Sequence, residues 1–285
     1  MIAFWGLIRP HQWLKNLLLL FPPFLAGRLL GESYSLPGFL FPVFCFCLAS
    51  SATYIVNDIL DVDLDRRHPR KCQRPLASGK ISVSIAWGFA LCLVALSVSL
   101  GFLISVPFLI YVFVYLAVSL AYSFHLKNIS LVELFCVVNG FLLRLLAGGE
   151  AYKVEISDWL FLSVFLLALF LVAGKRLSEL RHEGGETPEN IRPVLASYPR
   201  GFLEGVMLLS GAAVLVTYTI YVIDHARSIW VIPICCFGLL AFFRRVLSGH
   251  GGDPTRALLQ DPTLMVTSLL WVLFVGWETY GLVNF

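Results

Sequence analysis

The sequence predicts an all-α protein that crosses a membrane many times. Only 14% of its 285 residues are charged and 58% are hydrophobic, whereas about a quarter of the residues in a soluble domain are charged. A spanning helix needs roughly 17–25 mainly apolar residues. We therefore predict nine transmembrane helices in a single integral domain, 1–285. They lie at about 14–30, 37–59, 82–104, 106–124, 129–149, 157–180, 203–224, 227–247 and 263–284.

Local signals set the details of these elements. Pro22-Pro23 should kink the first helix, because proline cannot donate a backbone hydrogen bond. The joins at 104–106 and 224–227 are very short, which favours antiparallel neighbours. The seven cysteines lack zinc-ligand spacing and mostly lie inside apolar runs, so we interpret them as small buried hydrophobic residues rather than ligands or disulfides.

The basic residues predict the orientation of the chain. Nine crossings place 17 of the 21 Lys and Arg residues on the side of the N-terminus and three on the other, with Arg144 inside a helix. The positive-inside rule assigns the richer side to the cytoplasm. The long charged loops 60–81 and 181–202 are on that side, which is where function is expected.

An acidic cluster ends the second predicted helix. Asp58, Asp61 and Asp65 are three and four residues apart, so on a helix they share one face, whereas Asp63 faces away. Like charges on one face repel, and a cation must offset them. Because Mg²⁺ commonly binds carboxylates together with substrate phosphates, the cluster predicts a metal–pyrophosphate site.

Basic side chains follow the acidic cluster at once. Arg66, Arg70 and Arg74 present guanidinium forks that match phosphate, and they could take the remaining phosphate charge. The alternative is a solvated, salt-bridged loop beside the membrane.

Further candidates lie at the ends of helices or within them. Lys127 is either a phosphate contact or an ordinary flanking charge. Glu133 and Arg144 are ionisable groups within one predicted span, which are costly there and are usually functional or paired. Arg144 therefore needs an anion or a structural partner, such as a backbone carbonyl or Glu150.

Two more segments are ambiguous in the same way. Lys175 and Glu179 could form a helix-end salt bridge, or Lys175 and Arg176 could form a second phosphate-binding patch. Trp13 and Lys15 suit an interfacial anchor, and the alternative is that Lys15 and Asn16 close over a head group.

Taken together, these segments resemble one family over nearly the whole chain. Asn57-Asp58-x-x-Asp61-x-x-x-Asp65 after an apolar helix resembles the first aspartate motif of the UbiA prenyltransferase superfamily. Other segments resemble its decaprenyl-phosphate phosphoribosyltransferase branch. They are Arg9-Pro-x-Gln12-Trp13-x-Lys15-Asn16, Arg74-Pro75-x-Ala77-x-Gly79, Tyr122-Ser123-x-x-Leu126-Lys127, Gly140-Phe141-x-x-Arg144-x-x-Ala147-Gly148-Gly149, Gly174-Lys175-Arg176-x-x-Glu179 and Gly252-Asp253-Pro254-Thr255.

The resemblance implies a Mg²⁺-dependent transfer of 5-phosphoribosyl from phosphoribosyl pyrophosphate to a polyprenyl phosphate. It implies a bacterial inner (plasma) membrane enzyme with a cytoplasmic active site. Asp58, Asp61 and Asp65 would be the catalytic metal ligands, and no nucleic-acid partner is expected. Homo-oligomerisation is left open. The implied substrate-binding residues are Lys15, Asn57, Arg66, Arg70, Arg74, Tyr122, Lys127, Arg144, Lys175, Arg176 and Glu179.

The chain departs from the expected patterns at two places, and the first of them bears on the substrate. Where aromatic prenyltransferases carry a second aspartate-rich motif, this chain has Lys175-Arg176-Leu-Ser-Glu179, and Glu133 stands where Asp is expected. A substrate site with one acidic half and one basic half suits two different substrates. The acidic half suits a pyrophosphate donor with its metal, and the basic half suits the phosphate of a lipid acceptor. The rivals are a UbiA-type enzyme that prenylates an aromatic acceptor and a non-enzymatic lipid transporter.

Overall fold

The computed structural model describes residues 2–29, 36–67, 71–182 and 193–281. Within those ranges the chain is helical and contains no strand. Its α-helices are α1 (Ile2–Ile8), α2 (Phe21–Leu25), α3 (Leu36–Leu60), α4 (Val62–Arg67), α5 (Val83–Ile104), α6 (Val106–Phe124), α7 (Val132–Ala151), α8 (Asp158–His182), α9 (Phe202–Asp224), α10 (Val231–Leu247), α11 (Pro254–Gln260) and α12 (Pro262–Gly276). Short 3₁₀ segments lie at Pro10–Leu20, Lys71–Gln73, Leu126–Asn128 and Pro193–Ser197, and a π-turn at Trp277–Gly281.

Seven helices of the described residues are long and apolar enough to cross a membrane. They are α3, α5, α6, α7, α8, α9 and α12 with its π-turn. The protein is therefore an integral membrane protein, as its composition predicts. The other two predicted spans are shorter as helices: α10 has 17 residues, and the first stretch is a 3₁₀ helix followed by the five-residue α2.

The first stretch changes helix type where the sequence predicts a kink. Pro10–Leu20 is a 3₁₀ helix, and the α-helical turn begins at Phe21. Pro22 and Pro23 then fall in the first turn of α2, where a missing N–H costs no intrahelical hydrogen bond. A 3₁₀ run longer than three or four residues is uncommon, and the spacing of apolar residues alone does not reveal it.

Serine and aspartate side chains set several helix boundaries. Ser105 ends α5 in an extended conformation and accepts a hydrogen bond from the Phe108 N–H, which caps α6. One residue therefore makes the short join that the sequence predicts. Asp253 caps α11 and Asp261 caps α12, each followed by proline at the first helical position.

The chain packs as two compact units. The first comprises Met1–Pro22, Glu32–Ile129 and Leu143–Val154. Within it α3 packs against α5, α6 and the 3₁₀ segment Pro10–Leu20, around a core that includes Leu19, Phe46, Ile55 and Phe108. This packing holds the end of α3, and with it the acidic cluster.

The second unit comprises Pro23–Gly31, Ser130–Leu142 and Glu155–Phe285. Within it α8 packs mainly against α9, and α10 contacts α8, α9 and α12. The seven cysteines form no disulfide; Cys45 and Cys47 are buried as expected, but Cys92 is exposed on α5. A thiol is tolerated at an exposed position of an apolar helix because it behaves as a small apolar group.

Candidate active site

The acidic cluster sits on a nearly continuous helix across the junction of α3 and α4. Backbone hydrogen bonds from the Asp61 N–H to the Asn57 carbonyl (3.0 Å) and from the Asp65 N–H to the Asp61 carbonyl (2.8 Å) carry α-helical spacing across it. The Asp58 side chain is 2% exposed, whereas that of Asp63 is 78% exposed. Asp58 and Asp65 thus face inward and Asp63 faces outward, as helical periodicity requires.

Three basic side chains balance the three inward-facing carboxylates. Asp58 accepts hydrogen bonds from Arg9 and, at 3.0 Å, from Arg74, which also donates to Asp65 at 2.6 Å. Asp61 accepts from the Lys127 ammonium at 2.5 Å and from the Asn57 amide at 3.0 Å. The first unit thus gathers Asn57, Arg74 and Lys127, all predicted from the sequence, around the acidic cluster.

Arg9 is a member of this cluster that the sequence reasoning did not rank as a site residue. Its backbone is left-handed, with φ of 52°, a conformation that costs a non-glycine residue about 1–3 kcal/mol. The strained turn after α1 directs its guanidinium to Asp58 and over the Tyr54 ring, 5.5 Å from the centroid. The Arg9-Pro10 pair was the only available signal, because backbone strain does not show in sequence.

The donor atoms of the cluster fit a hard divalent cation. Burial raises the pKa of Asp65 above its ordinary value, and the charge of Arg74 opposes this rise. A further cation close to the carboxylate would likewise favour its ionised form. No three His, Cys, Asp or Glu side chains among the described residues are grouped closely enough to hold an ion by themselves. The three carboxylates therefore do not form a complete ion site by themselves, and Mg²⁺ held there would complete its shell with water and substrate phosphate.

Arg144 lies in a buried polar pocket of the first unit. Its Nε donates to the Asn16 side-chain oxygen at 2.7 Å and its Nη2 to the Tyr115 hydroxyl at 3.0 Å, and its guanidinium stacks 4.7 Å from the Tyr115 ring centroid. Asn16 in turn donates to Cys47 and Ser50 on α3. Neutral groups are thus structural partners of Arg144, while Glu150, the partner considered from the sequence, binds Ser105 and Lys153.

A glycine makes the Arg144 pocket possible. A Cβ on Gly148, one helical turn after Arg144, would lie 2.8 Å from the Leu19 Cα. The 3₁₀ segment therefore touches the α7 backbone there, and Asn16, three residues before Leu19, reaches Arg144. The sequence predicts that Gly148-Gly149 lets a neighbouring segment approach closely, and the contact with Leu19 explains why position 148 has no side chain.

A buried ion-pair network occupies the second unit. Arg176 on α8 donates to both carboxylate oxygens of Glu133 at 2.7–3.0 Å and to Glu179 at 2.9 Å. The Arg176 and Glu133 side chains are only 4% and 0% exposed. Tyr198 donates to Glu133 at 3.3 Å, and burial raises the pKa of Tyr198 to about 12, so this phenol stays a donor at physiological pH.

Lys175 has a different partner. Its ammonium lies 3.2 Å from an Asp253 oxygen and the side chain is 36% exposed. Glu179, the salt-bridge partner considered from the sequence, pairs instead with Arg176. The neighbours Lys175 and Arg176 therefore differ: the first reaches solvent and the second is enclosed by carboxylates.

The remaining predicted residues are Arg66, Lys15, Tyr122 and Arg70. Arg66 pairs with the outward-facing Asp63 at 2.9 Å and is exposed. Lys15 and Tyr122 are half-buried in the first unit. Arg70 lies outside the described residues.

Comparison with known proteins decides which family this arrangement represents. A model of the UbiA prenyltransferase family matches residues 20–269. The chain belongs to the UbiA prenyltransferase family. Among solved structures, a UbiA homologue from Archaeoglobus fulgidus bound to DMAPP and Mg²⁺ shares the fold, with a TM-score of 0.74, 20% identity and coverage of 98% of this chain and 99% of that one.

Within the UbiA family, similar sequences carry a more specific name. A decaprenyl-phosphate phosphoribosyltransferase of Corynebacterium glutamicum is 35% identical, covering 96% of this chain and 85% of its own length. One from Mycobacterium tuberculosis is 36% identical, covering 94% of this chain and 91% of its own length. The predicted family resemblance is confirmed.

Proposed function

We propose that this UbiA family member transfers 5-phosphoribosyl from phosphoribosyl pyrophosphate to a polyprenyl phosphate and releases pyrophosphate. The observation that carries the proposal is 35–36% identity, over at least 94% of the chain, to enzymes named decaprenyl-phosphate phosphoribosyltransferase. The chemistry of the two units agrees with it. One unit presents a carboxylate cluster suited to a metal-bound pyrophosphate, and the other presents a solvent-reaching lysine suited to a phosphate.

In this proposal the first unit binds the donor. Asp58, Asp61 and Asp65 would hold Mg²⁺, which when bound offsets the charge that develops on the leaving pyrophosphate. Arg74 and Lys127 fix the orientation of the carboxylates and supply positive charge for phosphate oxygens. Lys15, Arg66, Tyr122 and Arg144 are proposed as further substrate contacts, as is Arg70, which lies outside the described residues.

The second unit would bind the acceptor phosphate through Lys175. An ammonium has three donors, so its contact with Asp253 leaves capacity for a phosphate oxygen. Arg176 is buried and bound by two carboxylates, so we assign it, with Glu179, the role of fixing the end of α8. This replaces the direct substrate contact expected for both residues from the sequence.

The bond changes need no protein base. The bond from the anomeric carbon to the pyrophosphate oxygen breaks while an oxygen of the lipid phosphate bonds to that carbon. The lipid phosphate is already an anion at neutral pH, so no proton has to be removed from it. That accounts for a proposed site made of carboxylates and cations, with no histidine assigned a catalytic role.

The orientation in the membrane is part of the proposal. We infer nine crossings, a cytoplasmic N-terminus and a cytoplasmic site in a bacterial inner membrane. The two stretches that fall short as α-helices still have sufficient length. Eleven 3₁₀ residues and five α-helical residues extend about 30 Å, and 17 α-helical residues extend about 26 Å.

A product assay separates this function from its rivals. Purified protein is incubated with Mg²⁺, polyprenyl phosphate and phosphoribosyl pyrophosphate labelled in the ribose. Label that enters the organic phase with release of pyrophosphate supports the proposal. Prenylation of an aromatic acceptor from a polyprenyl diphosphate would favour the other UbiA-type activity, and neither product would favour a lipid transporter.

A further inference from the structure

The loop 248–253, between α10 and α11, rests directly on α8. A Cβ on Gly252 would lie 2.8 Å from both the Gly174 carbonyl carbon and the Ser178 Cβ, closer than real Cβ atoms approach. A Cβ on Gly174 would lie 2.7 Å from the Phe242 ring. Gly252 therefore lets the loop backbone touch α8 at the residue before Lys175, and Gly174 leaves room there for the Phe242 ring of α10.

Arg245 fastens this loop from α10. Its Nη2 donates to the His250 carbonyl at 2.7 Å, its Nε to the Gly251 carbonyl at 3.2 Å and its Nη1 to Asp261 at 3.0 Å. Slight burial opposes ionisation of Asp261, but hydrogen bonds from Arg245 and from backbone N–H groups outweigh it and lower its pKa. The planar guanidinium thus ties two loop carbonyls to the carboxylate that caps α12.

Asp253 connects the loop to Lys175. One of its carboxylate oxygens accepts from the Arg256 N–H at 3.1 Å, which caps α11, and the other pairs with the Lys175 ammonium at 3.2 Å. The Asp253 side chain is 19% exposed, and these two contacts restrict its rotamer. The position of the ammonium is therefore set by a carboxylate that the loop and α11 hold from two sides.

We propose that the 248–253 loop positions the acceptor-binding lysine. Asp253 orients the Lys175 ammonium toward the phosphate of the lipid, and Arg245 keeps the loop in place; both are positioning residues that act through Lys175. This inference rests on the proposed function, and it gives a role to the Gly252-Asp253-Pro254-Thr255 segment, whose composition alone indicated only a turn.

Two substitutions separate orientation of Lys175 from folding. Asp253→Asn keeps a good helix cap but removes the charge. Arg245→Lys keeps the charge but loses the fork that makes three hydrogen bonds. Each is expected to raise KM for polyprenyl phosphate about three- to tenfold, with KM for phosphoribosyl pyrophosphate unchanged and kcat within about twofold. Glu204→Gln is the matched control, because it removes the carboxylate that pairs with Arg181, also on α8, and should change neither KM.

A second measurement needs no activity. Reductive methylation of Lys175 in the folded, detergent-solubilised protein is followed by peptide mass spectrometry, with Lys153 as internal reference. Both variants should speed methylation of Lys175 severalfold, because its amine is then no longer held against the Asp253 carboxylate. An unchanged Lys175 rate, or an equal rise in KM for both substrates, would overturn the proposal. Absence of transfer by the wild type would contradict the proposed function, while the methylation rates would still test control of Lys175 by the loop.

Discussion

At the residue scale, what could be predicted is what depends on local periodicity. The shared face of Asp58, Asp61 and Asp65 follows from helical spacing, and the structure buries Asp58 and Asp65 and leaves Asp61 partly exposed. Their counter-charges could not be ranked in the same way, because Arg9 and Lys127 are 49 and 66 residues away from their partners. Sequence offers candidates for such contacts, but only tertiary packing selects among them.

The central aspartate gives the sharpest test at this scale. Asp61→Asn preserves shape but removes one carboxylate charge beside Lys127. Transfer should fall about 100-fold or more, because stabilisation of the leaving group depends on bound charge. Asp63→Asn, on the exposed face, is the control and should keep activity within about twofold. The rates are measured at saturating Mg²⁺, and full activity of Asp61→Asn would remove this carboxylate from the metal site.

At the element scale, helix positions were predictable and helix contacts were not. The predicted span 37–59 corresponds to α3 at Leu36–Leu60, and 203–224 to α9 at Phe202–Asp224. The 3₁₀ form of Pro10–Leu20 was missed, because apolar composition does not distinguish it from an α-helix. The pairing of Glu133 with Arg176 does not follow from the sequence either, because the sequence groups Glu133 with Arg144 and Arg176 with Lys175.

The ion pair between α7 and α8 should show strong coupling. Arg176→Leu leaves the Glu133 carboxylate buried without its main counter-charge and should lower the free energy of unfolding by about 3–5 kcal/mol. The double variant with Glu133→Leu also removes the buried, unpaired carboxylate. It should recover at least half of the lost free energy of unfolding. Unfolding is followed by circular dichroism during titration with a denaturing detergent. A double variant no more stable than Arg176→Leu would show that the loss of stability does not come from the unpaired Glu133 carboxylate.

The contact of the 3₁₀ segment with α7 makes a second element-scale prediction. Gly148→Ala places a methyl group against the Leu19 backbone, so the segment must shift and Asn16 must move away from Arg144. We expect a loss of about 1–3 kcal/mol in unfolding free energy and lower transfer activity. Gly88→Ala on α5 is the control, because its methyl group meets nothing within 4 Å and should slightly stabilise the helix. Equal effects of the two substitutions would contradict the close contact.

At the scale of the whole molecule, composition and charge predict the membrane class and the orientation. Family membership is established by the match over residues 20–269, which sequence motifs alone had suggested. The two compact units could not be predicted, because each is assembled from segments far apart in the chain. The apolar segments of the sequence do not indicate which of them pack together in the same unit.

Nine crossings predict that the chain ends on opposite sides of the membrane. Green fluorescent protein fused before Met1 should fluoresce in a bacterial host, while alkaline phosphatase fused after Phe285 should be active, because each reporter works on one side only. The physical reason is the concentration of Lys and Arg on the N-terminal side. An inactive phosphatase together with a fluorescent C-terminal fusion would indicate an even number of crossings.

The central claim is that this chain joins a phosphoribosyl group to a lipid phosphate. The direct measurement is the ratio of pyrophosphate released to ribose label recovered in the organic phase, for purified protein supplied with Mg²⁺, labelled phosphoribosyl pyrophosphate and polyprenyl phosphate. The account predicts one pyrophosphate for each labelled lipid, and loss of both products together in Asp61→Asn. Pyrophosphate released without labelled lipid, or no release of either by the wild type, would contradict it.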